Sequence, residues 1–182
     1  MLEESEALER ILGSVEPGPV IWVPLELALD QTLSQDLVGT VDSPPFDNSS
    51  MDGYAVRAEE CQTGQSLTVA ADTQAAGRDL GLTLSAGGAI RIFTGAAIPA
   101  GADAVIMQED VRFEDGKIEI LEGVEVGENI RRRGGDICAG QKLLSKRATL
   151  TATGIGLLAS QGIPEVPIYS RPLVHIVTTG DE

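Results

Sequence analysis

The sequence predicts a mainly β fold with flanking helices, in the α+β class. Short apolar runs rich in Val and Ile recur along the 182 residues, and 21 glycines and 9 prolines punctuate them. That spacing is typical of short strands joined by turns. Helical periodicity is confined to stretches near the two ends of the chain. Because aromatic residues make up only 3% of the chain, the core is expected to be aliphatic.

The N-terminal part predicts alternating helices and strands. Apolar side chains at helical spacing predict a helix over residues 5–15, and Pro17 follows its end. A strand at 20–23, a second helix at 26–33 and a strand at 36–41 are expected next.

The middle of the chain predicts a β module over residues 47–138. Four apolar runs are expected to be strands, at 54–57, 67–70, 89–93 and 104–107. Residues 111–120 predict a hairpin, because Asp115-Gly116 suits a tight turn.

The segments that flank this module, residues 1–46 and 139–171, are expected to form one discontinuous mixed α/β domain. In the second segment a helix is predicted at 150–161, with Thr149 or Thr151 as its N-cap and Gly162 just beyond its end. A strand at 165–169 should follow. The module is then an insertion in the discontinuous domain.

Composition argues against several classes of protein. A formal net charge of −15 is repelled by nucleic-acid phosphates. The sequence shows no apolar run long enough to span a bilayer and no signal-peptide core. We therefore expect a cytoplasmic protein that binds neither nucleic acid nor membrane. Cys61 and Cys138 are far apart in sequence and are expected to be reduced thiols.

Residues 43–57, S-P-P-F-D-N-S-S-M-D-G-Y-A-V-R, are the most informative run. Two prolines restrict the backbone, and the Asp, Asn, Ser and Gly residues favour turns. The run predicts a rigid polar loop that brings the carboxylates of Asp47 and Asp52 to one place. An ordinary turn between two strands is the alternative interpretation.

Thr94-Gly95 follows directly on the strand expected at 89–93. It offers a hydroxyl and a backbone N–H at a strand end, where anions are often contacted. An ordinary exit from strand to loop is the alternative.

Three consecutive arginines, Arg131, Arg132 and Arg133, interrupt an otherwise acidic chain. Guanidinium groups bind phosphate and carboxylate through paired hydrogen bonds, and Asp136 places a carboxylate beside them. These residues predict an anion site. A solvated loop whose arginines pair with nearby acidic residues is an equally open interpretation.

The C-terminal residues 173–177 predict an apolar, buried strand that contains His175, the chain's one histidine. A continuous apolar strand usually belongs to a sheet covered on both faces. Because T-T-G-D-E follows, the segment is typical of the first half of a βα unit, and His175 is expected to pack rather than to catalyse.

Several blocks together resemble the MoeA family (molybdopterin molybdenumtransferase, gephyrin E-type domain). In chain order they are P-P-F-D-N-S-S-M-D-G-Y-A-V-R at 44–57, R-I-F-T-G-A at 91–96, G-A-D-A-V-I-M-Q-E at 101–109, G-E-N-I-R-R-R-G-G-D at 127–136 and T-G-D-E at 179–182. The resemblance implies a fold like the MoeA N-terminal region. Domain I would comprise 1–46 and 139–171 and carry dimer contacts, and domain II would comprise 47–138. Residues 172–182 would begin a molybdopterin-binding domain III.

The resemblance also implies roles for individual residues. The implied catalytic residues are Asp52, Thr94, Asp136 and Glu182. The implied substrate and anion contacts are Arg131, Arg132, Arg133, Ser50 and Asp47. Asp52 and Asp136 are the implied ligands of Mg²⁺.

The implied activity is the insertion of molybdate into adenylylated molybdopterin, with release of AMP and with magnesium. The resemblance further implies a homodimer and an upstream partner, molybdopterin adenylyltransferase. We expect the chain to be part of a longer protein and to be inactive alone. The alternatives are a non-catalytic dimerisation or scaffold module and, without motif support, a carbohydrate- or metal-binding β domain.

Overall fold

The computed structural model describes residues 3–178, in which strands predominate over two α-helices. The helices and strands are α1 Glu4–Ser14, β1 Val20–Pro24, β2 Leu37–Val38, β3 Asn48–Ser49, β4 Gly53–Val56, β5 Ser66–Gln74, β6 Gly88–Ile92, β7 Ala104–Met107, β8 Val111–Glu114, β9 Lys117–Ile120, β10 Ile130–Arg131, β11 Lys142–Leu144, α2 Ala152–Ser160 and β12 Glu165–Tyr169. The mainly β fold with flanking helices is confirmed.

The chain divides into two compact units. The inserted unit comprises residues Val41–Ala139, and the discontinuous unit comprises the residues before and after it. Within the described residues, no helix is long and apolar enough to cross a membrane.

The inserted unit is built on a six-stranded sheet in the order β7-β4-β6-β5-β9-β8. The β5–β6 pair is parallel and the other pairs are antiparallel. Side chains alternate between faces along a strand, so Tyr54 and Val56 of β4 join one apolar cluster and Ala55 joins another. All four residues of β4 are buried, which places this strand in the core of the unit.

The hairpin expected at 111–120 is confirmed. Strands β8 and β9 pair with Glu114 opposite Lys117. Asp115 and Gly116 between them have φ angles of 47° and 75°, which a tight hairpin turn requires at both central positions.

The discontinuous unit pairs β1 with β12 and β2 with β11, both antiparallel. Its aliphatic core is formed by Leu25, Ala28, Leu33, Leu37, Leu150, Leu158, Val166 and Ile168. Helix α2 begins where expected: the Thr151 hydroxyl accepts a hydrogen bond from the Gly154 N–H at 3.2 Å. Gly162 follows its end with φ +69°.

The helix expected at 26–33 is wrong. A single 3₁₀ turn covers Leu25–Leu27, and Asp30 has a φ of +60°. The Asp30 N–H donates to Leu150 O, and the Leu33 N–H donates to Ala148 O. These bonds to distant segments replace helical ones, because tertiary context overrides a weak local preference. The strand expected at 36–41 shortens to β2.

The buried strand expected at 173–177 is also wrong. No strand is assigned over residues 171–178, and Leu173 and Ile176 are 82% and 88% exposed. His175 is exposed as well. Within residues 3–178 this segment pairs with no strand, so its apolar side chains have no sheet to pack in. Glu182, an implied catalytic residue, lies outside the described residues.

Candidate functional site

The loop between β3 and β4 is fixed by its own hydrogen bonds. The buried Ser49 hydroxyl donates to Met51 O at 2.6 Å and accepts from the Met51 N–H at 3.2 Å. The Ser49 backbone is tied to the 93–97 loop, since its carbonyl accepts from the Gly95 N–H and its N–H donates to Ala96 O. The two loops are thereby held side by side.

This arrangement joins Asp52 to Thr94. One carboxylate oxygen of Asp52, Oδ1, accepts from both the Thr94 N–H and the Thr94 hydroxyl, each at 2.8 Å. The backbone hydrogen bond from Thr94 lowers the pKa of Asp52, its hydroxyl lowers it further, and the charge of Arg91 adds a smaller effect. Both side chains are exposed. The site therefore presents an ionised carboxylate whose Oδ2 atom accepts no hydrogen bond from residues 3–178.

Asp47 lies in a second cluster, with the arginines. Its Oδ2 accepts from Arg132 Nη1 at 2.7 Å and its Oδ1 from the Arg133 N–H at 2.8 Å. Arg133 Nε donates to Asp42 Oδ2 at 2.6 Å, and Asp42 Oδ1 accepts from the Ala139 N–H at 2.8 Å. These two arginines are thus paired with two aspartates, and the four side chains carry no net charge.

Backbone hydrogen bonds lower the pKa of both aspartates in this cluster. For Asp47 the Arg133 N–H has the largest effect, followed by the Arg132 side chain. For Asp42 the Ala139 N–H has the largest effect, followed by the Arg133 side chain. The pairing of arginines with acidic residues, one of the two interpretations left open by the sequence, is what the structure shows for Arg132 and Arg133.

Three more predicted site residues, Arg131, Ser50 and Asp136, belong to the same unit. Arg131 ends β10, which pairs with β3, and its exposed side chain forms no ion pair with the described residues. The Ser50 N–H donates to Asn129 O at 3.0 Å. The Asp136 N–H donates to Ser43 O at 2.9 Å, and its carboxylate is exposed. Among residues 3–178, Asp136 and Asp52 share no hydrogen-bond partner.

The acidic side chains suit a magnesium ion only in part. No group of three or more His, Cys, Asp and Glu side chains among the described residues is placed to hold a metal ion. Magnesium, however, commonly takes one or two carboxylates and completes its shell with water and substrate phosphates. Asp52 Oδ2 and the Asp136 carboxylate are oxygen donors of that kind.

Arg91 and Gln108 are not among the site residues predicted from the sequence. Arg91 donates to Gly53 O at 3.2 Å and to Gln108 Oε1 at 2.6 Å. Gln108 in turn donates its backbone N–H to Asp52 O at 3.2 Å. Arg91 lies in the motif block at 91–96 and Gln108 in the block at 101–109. Their position in these blocks is the one feature of the sequence that could have marked them as site residues.

A cavity of about 480 Å³ lies elsewhere, in the discontinuous unit, where Asp30, Arg147 and Tyr169 are among its lining residues. None of the predicted site residues lines it. Asp52, Thr94 and Asp136 are instead exposed residues of the inserted unit.

Comparison with known protein families matches residues 2–162 to the MoeA N-terminal region (domain I and II). The chain belongs to this family. The molybdopterin molybdenumtransferase of Haemophilus influenzae is 40% identical to it over 184 residues, covering 100% of this chain and 45% of that protein. The enzyme of the same name from a Nostoc species is 41% identical over 165 residues, covering 88% of this chain and 38% of that protein.

Solved structures agree with the family assignment. The crystal structure of a molybdopterin biosynthesis MoeA protein from Pyrococcus horikoshii matches with a TM-score of 0.86 at 36% identity, covering 94% of this chain and 47% of that one. The expected resemblance to the MoeA N-terminal region is confirmed. The chain spans less than half the length of these relatives.

Proposed function

We propose that this chain forms domains I and II of a molybdopterin molybdenumtransferase that acts in molybdenum cofactor biosynthesis. The family match and the names of relatives that align over the whole chain support this proposal. The complete protein would insert molybdate into adenylylated molybdopterin and release AMP. The Asp52–Thr94 pair is the observation that carries the proposal, because it joins two residues from separate motif blocks in one hydrogen-bonded unit.

The proposed role of Asp52 follows from its charge. Thr94 holds one carboxylate oxygen and keeps the group ionised, which leaves Oδ2 for a ligand. Molybdate and the adenylate phosphates are anions, and a bare carboxylate repels them. A cation is therefore needed between them, and this charge argument supports magnesium as the cofactor.

Asp52 and Asp136 would hold the magnesium ion together with substrate oxygens and water. When bound there, the ion would offset negative charge on the phosphate that leaves with AMP. Asp52 itself would anchor and orient the substrate phosphates, with Thr94 fixing the direction of the carboxylate.

Anion binding by the arginine cluster is proposed for Arg131 first. Arg132 and Arg133 are paired with Asp47 and Asp42, so their charges are already offset. We propose that Asp47 acts indirectly in substrate binding, by holding these two arginines in place. Ser50, which is half-buried and donates its N–H to Asn129 O, is proposed to contact the anion through its hydroxyl.

The proposed complete protein is a cytoplasmic homodimer that receives its adenylylated substrate from a molybdopterin adenylyltransferase. One face of helix α1, in the discontinuous unit, supports the proposal that the protein contacts a partner. It leaves Leu8, Ile11 and Leu12 exposed by 55%, 60% and 63%, although such apolar side chains are usually covered. The same face favours a second candidate, a dimerisation or scaffold module without catalysis.

The test compares the isolated chain with the complete protein that contains it. Each is given molybdate, adenylylated molybdopterin and magnesium, and AMP release and molybdenum incorporation are measured. The complete protein should release AMP and the chain alone should not. The complete protein carrying Asp136→Ala should lose molybdenum insertion while its circular dichroism stays unchanged. If the complete protein binds its own copies but transfers no molybdenum, the scaffold candidate replaces the transferase.

A further inference from the structure

Arg91 is held from four sides beside Asp52. Its guanidinium carbon lies 5.0 Å from the ring centre of Tyr54 and 5.0 Å from that of Phe93. Arginine stacks favourably on aromatic faces. Its Nη1 and Nη2 atoms donate to Gly53 O and Gln108 Oε1. With these contacts the guanidinium is a fixed part of the inserted unit.

The contacts of Arg91 close a ring of interactions around Asp52. Gly53, which accepts from Arg91, directly follows Asp52 in the chain. Gln108, the other acceptor, donates its backbone N–H to Asp52 O. The ring closes through Thr94, three residues after Arg91, which donates twice to the Asp52 carboxylate. One guanidinium therefore links the backbone next to Asp52 with both segments that hydrogen-bond to that residue.

Strands β4, β6 and β7 of the sheet support this ring of interactions. In the sheet, Tyr54 of β4 lies opposite Arg91 of β6, and Gly53 lies opposite Met107 of β7. The hydrogen-bond acceptors of Arg91 thus come from β4 and from the end of β7, while Thr94 follows the end of β6. Three adjacent strands converge on Asp52, and Arg91 connects them by its side chain.

We propose that Arg91 is the positioning residue of the candidate site, a clamp that fixes the Asp52 carboxylate for its ligand without touching that ligand itself. This inference rests on the proposed role of Asp52. A guanidinium is required because its planar fork donates to two acceptors while its carbon lies 5.0 Å from each of two ring centres. A lysine would keep the charge but would not reproduce the fork.

The inference predicts how the Asp52 carboxylate titrates. The Thr94 amide donates to this carboxylate, so its proton resonance should move as Asp52 takes up a proton. The experiment is a pH titration of the Thr94 amide by NMR on the ¹⁵N-labelled chain. It compares the wild type with Arg91→Gln, which removes charge and fork, and Arg91→Lys, which removes only the fork. Arg112→Gln is the matched control, since Arg112 pairs with Glu119 in the β8–β9 hairpin at the far edge of the sheet from β7.

In Arg91→Gln the titration midpoint should shift upward and the pH-dependent movement of the Thr94 resonance should shrink. Arg91→Lys should restore most of the midpoint but not the size of the movement. Arg112→Gln should match the wild type. A wild-type midpoint and movement in a folded Arg91→Gln protein would overturn the inference.

If Arg91→Gln does not give the dispersed spectrum of a folded protein, Gln108→Leu replaces it. That change removes one acceptor of Arg91 and leaves the two aromatic contacts in place. A smaller movement of the Thr94 resonance supports the clamp, and an unchanged titration overturns it. Because the titration needs no turnover, its failure would overturn the clamp and leave the transferase proposal standing. Loss of transferase activity from the complete wild-type protein would refute that proposal and leave the titration result unchanged.

Discussion

Replacement of Gly53 by alanine should destabilise the inserted unit strongly. A Cβ atom at this position would lie 2.0 Å from Ile106 O and 2.9 Å from Ile106 C. Both are backbone atoms of the adjacent strand, so no side-chain rotation relieves the overlap. The two strands must separate by about 1 Å to reach even a tight contact.

The magnitude follows from overpacking and from the sheet. Overpacking of a buried site costs about 1–3 kcal/mol. Separation of β4 from β7 also weakens two or more ladder hydrogen bonds, at about 1 kcal/mol each. We therefore expect Gly53→Ala to lower the free energy of unfolding by about 3–5 kcal/mol, which is a large part of the about 5–15 kcal/mol that stabilises a typical domain.

Urea denaturation of the two proteins measures this difference, with far-UV circular dichroism as the probe and amide hydrogen exchange to assign the loss to β4 and β7. Gly156→Ala is the matched control. Gly156 lies in α2 with nothing within 4 Å of its added Cβ, so helix propensity should stabilise that variant by about 1 kcal/mol. A Gly53→Ala protein within about 1 kcal/mol of the wild type would refute the packing argument.

Three further predictions concern thiols, a helix cap and acid. Cys61 is 3% exposed and burial raises the pKa of its thiol to about 11, so a thiol reagent should modify exposed Cys138 quickly and Cys61 only after unfolding. Thr151→Ala should lower stability by about 1 kcal/mol in thermal denaturation, because the N-cap of α2 is lost. Since the pKa values of Asp42 and Asp47 are lower in the folded state than their ordinary value of 3.8, their stabilising contribution is present above that value and is lost as the pH falls below it.

Each of these predictions has a result that contradicts it. Equal labelling rates for the two cysteines in the native protein would show that Cys61 is accessible. A Thr151→Ala protein as stable as the wild type would remove the role of the cap. The acid prediction is tested by urea denaturation at several pH values. A double Asp42→Asn, Asp47→Asn protein should lose less stability between neutral and acidic pH than the wild type, and an identical loss in both would contradict it.

Sequence patterns sufficed where the local chemistry matched the final structure. The pair Asp115-Gly116 favours a turn with positive φ angles, and the hairpin turn lies at these two residues. Thr151 and Gly162 marked the ends of α2. In these places the residues that determine the structure are neighbours in sequence, so a short window contains the whole cause.

Patterns failed where distant partners decide. Residues 26–33 have helical spacing, yet hydrogen bonds from Asp30 to Leu150 and from Leu33 to Ala148 shape the segment instead. Residues 173–177 have the composition of a buried strand but pair with nothing in the described part of the chain. Neither outcome is visible in a local window, because each depends on what the rest of the fold supplies.

The candidate site shows the same division. The motif blocks identified Asp52 and Thr94, but their contact depends on two loops that are 42 residues apart in the chain. The run of three arginines stands out in an acidic sequence, but only the structure shows that Arg132 pairs with Asp47 and Arg133 with Asp42. Arg91 is not predicted as a site residue, because a single arginine in a strand belongs to no sequence pattern that marks it as a clamp.

The most direct test of the transferase account is AMP release by the complete protein carrying Asp52→Asn, a change that keeps the shape of the side chain and removes its charge. Asp72→Asn is the control, since Asp72 is an exposed residue of β5 outside the candidate site. The account predicts that molybdate-dependent AMP release is abolished in Asp52→Asn and unchanged in Asp72→Asn, with both proteins folded. Near-normal release by Asp52→Asn would contradict the role proposed for Asp52 and would remove the Asp52–Thr94 pair from the transfer reaction.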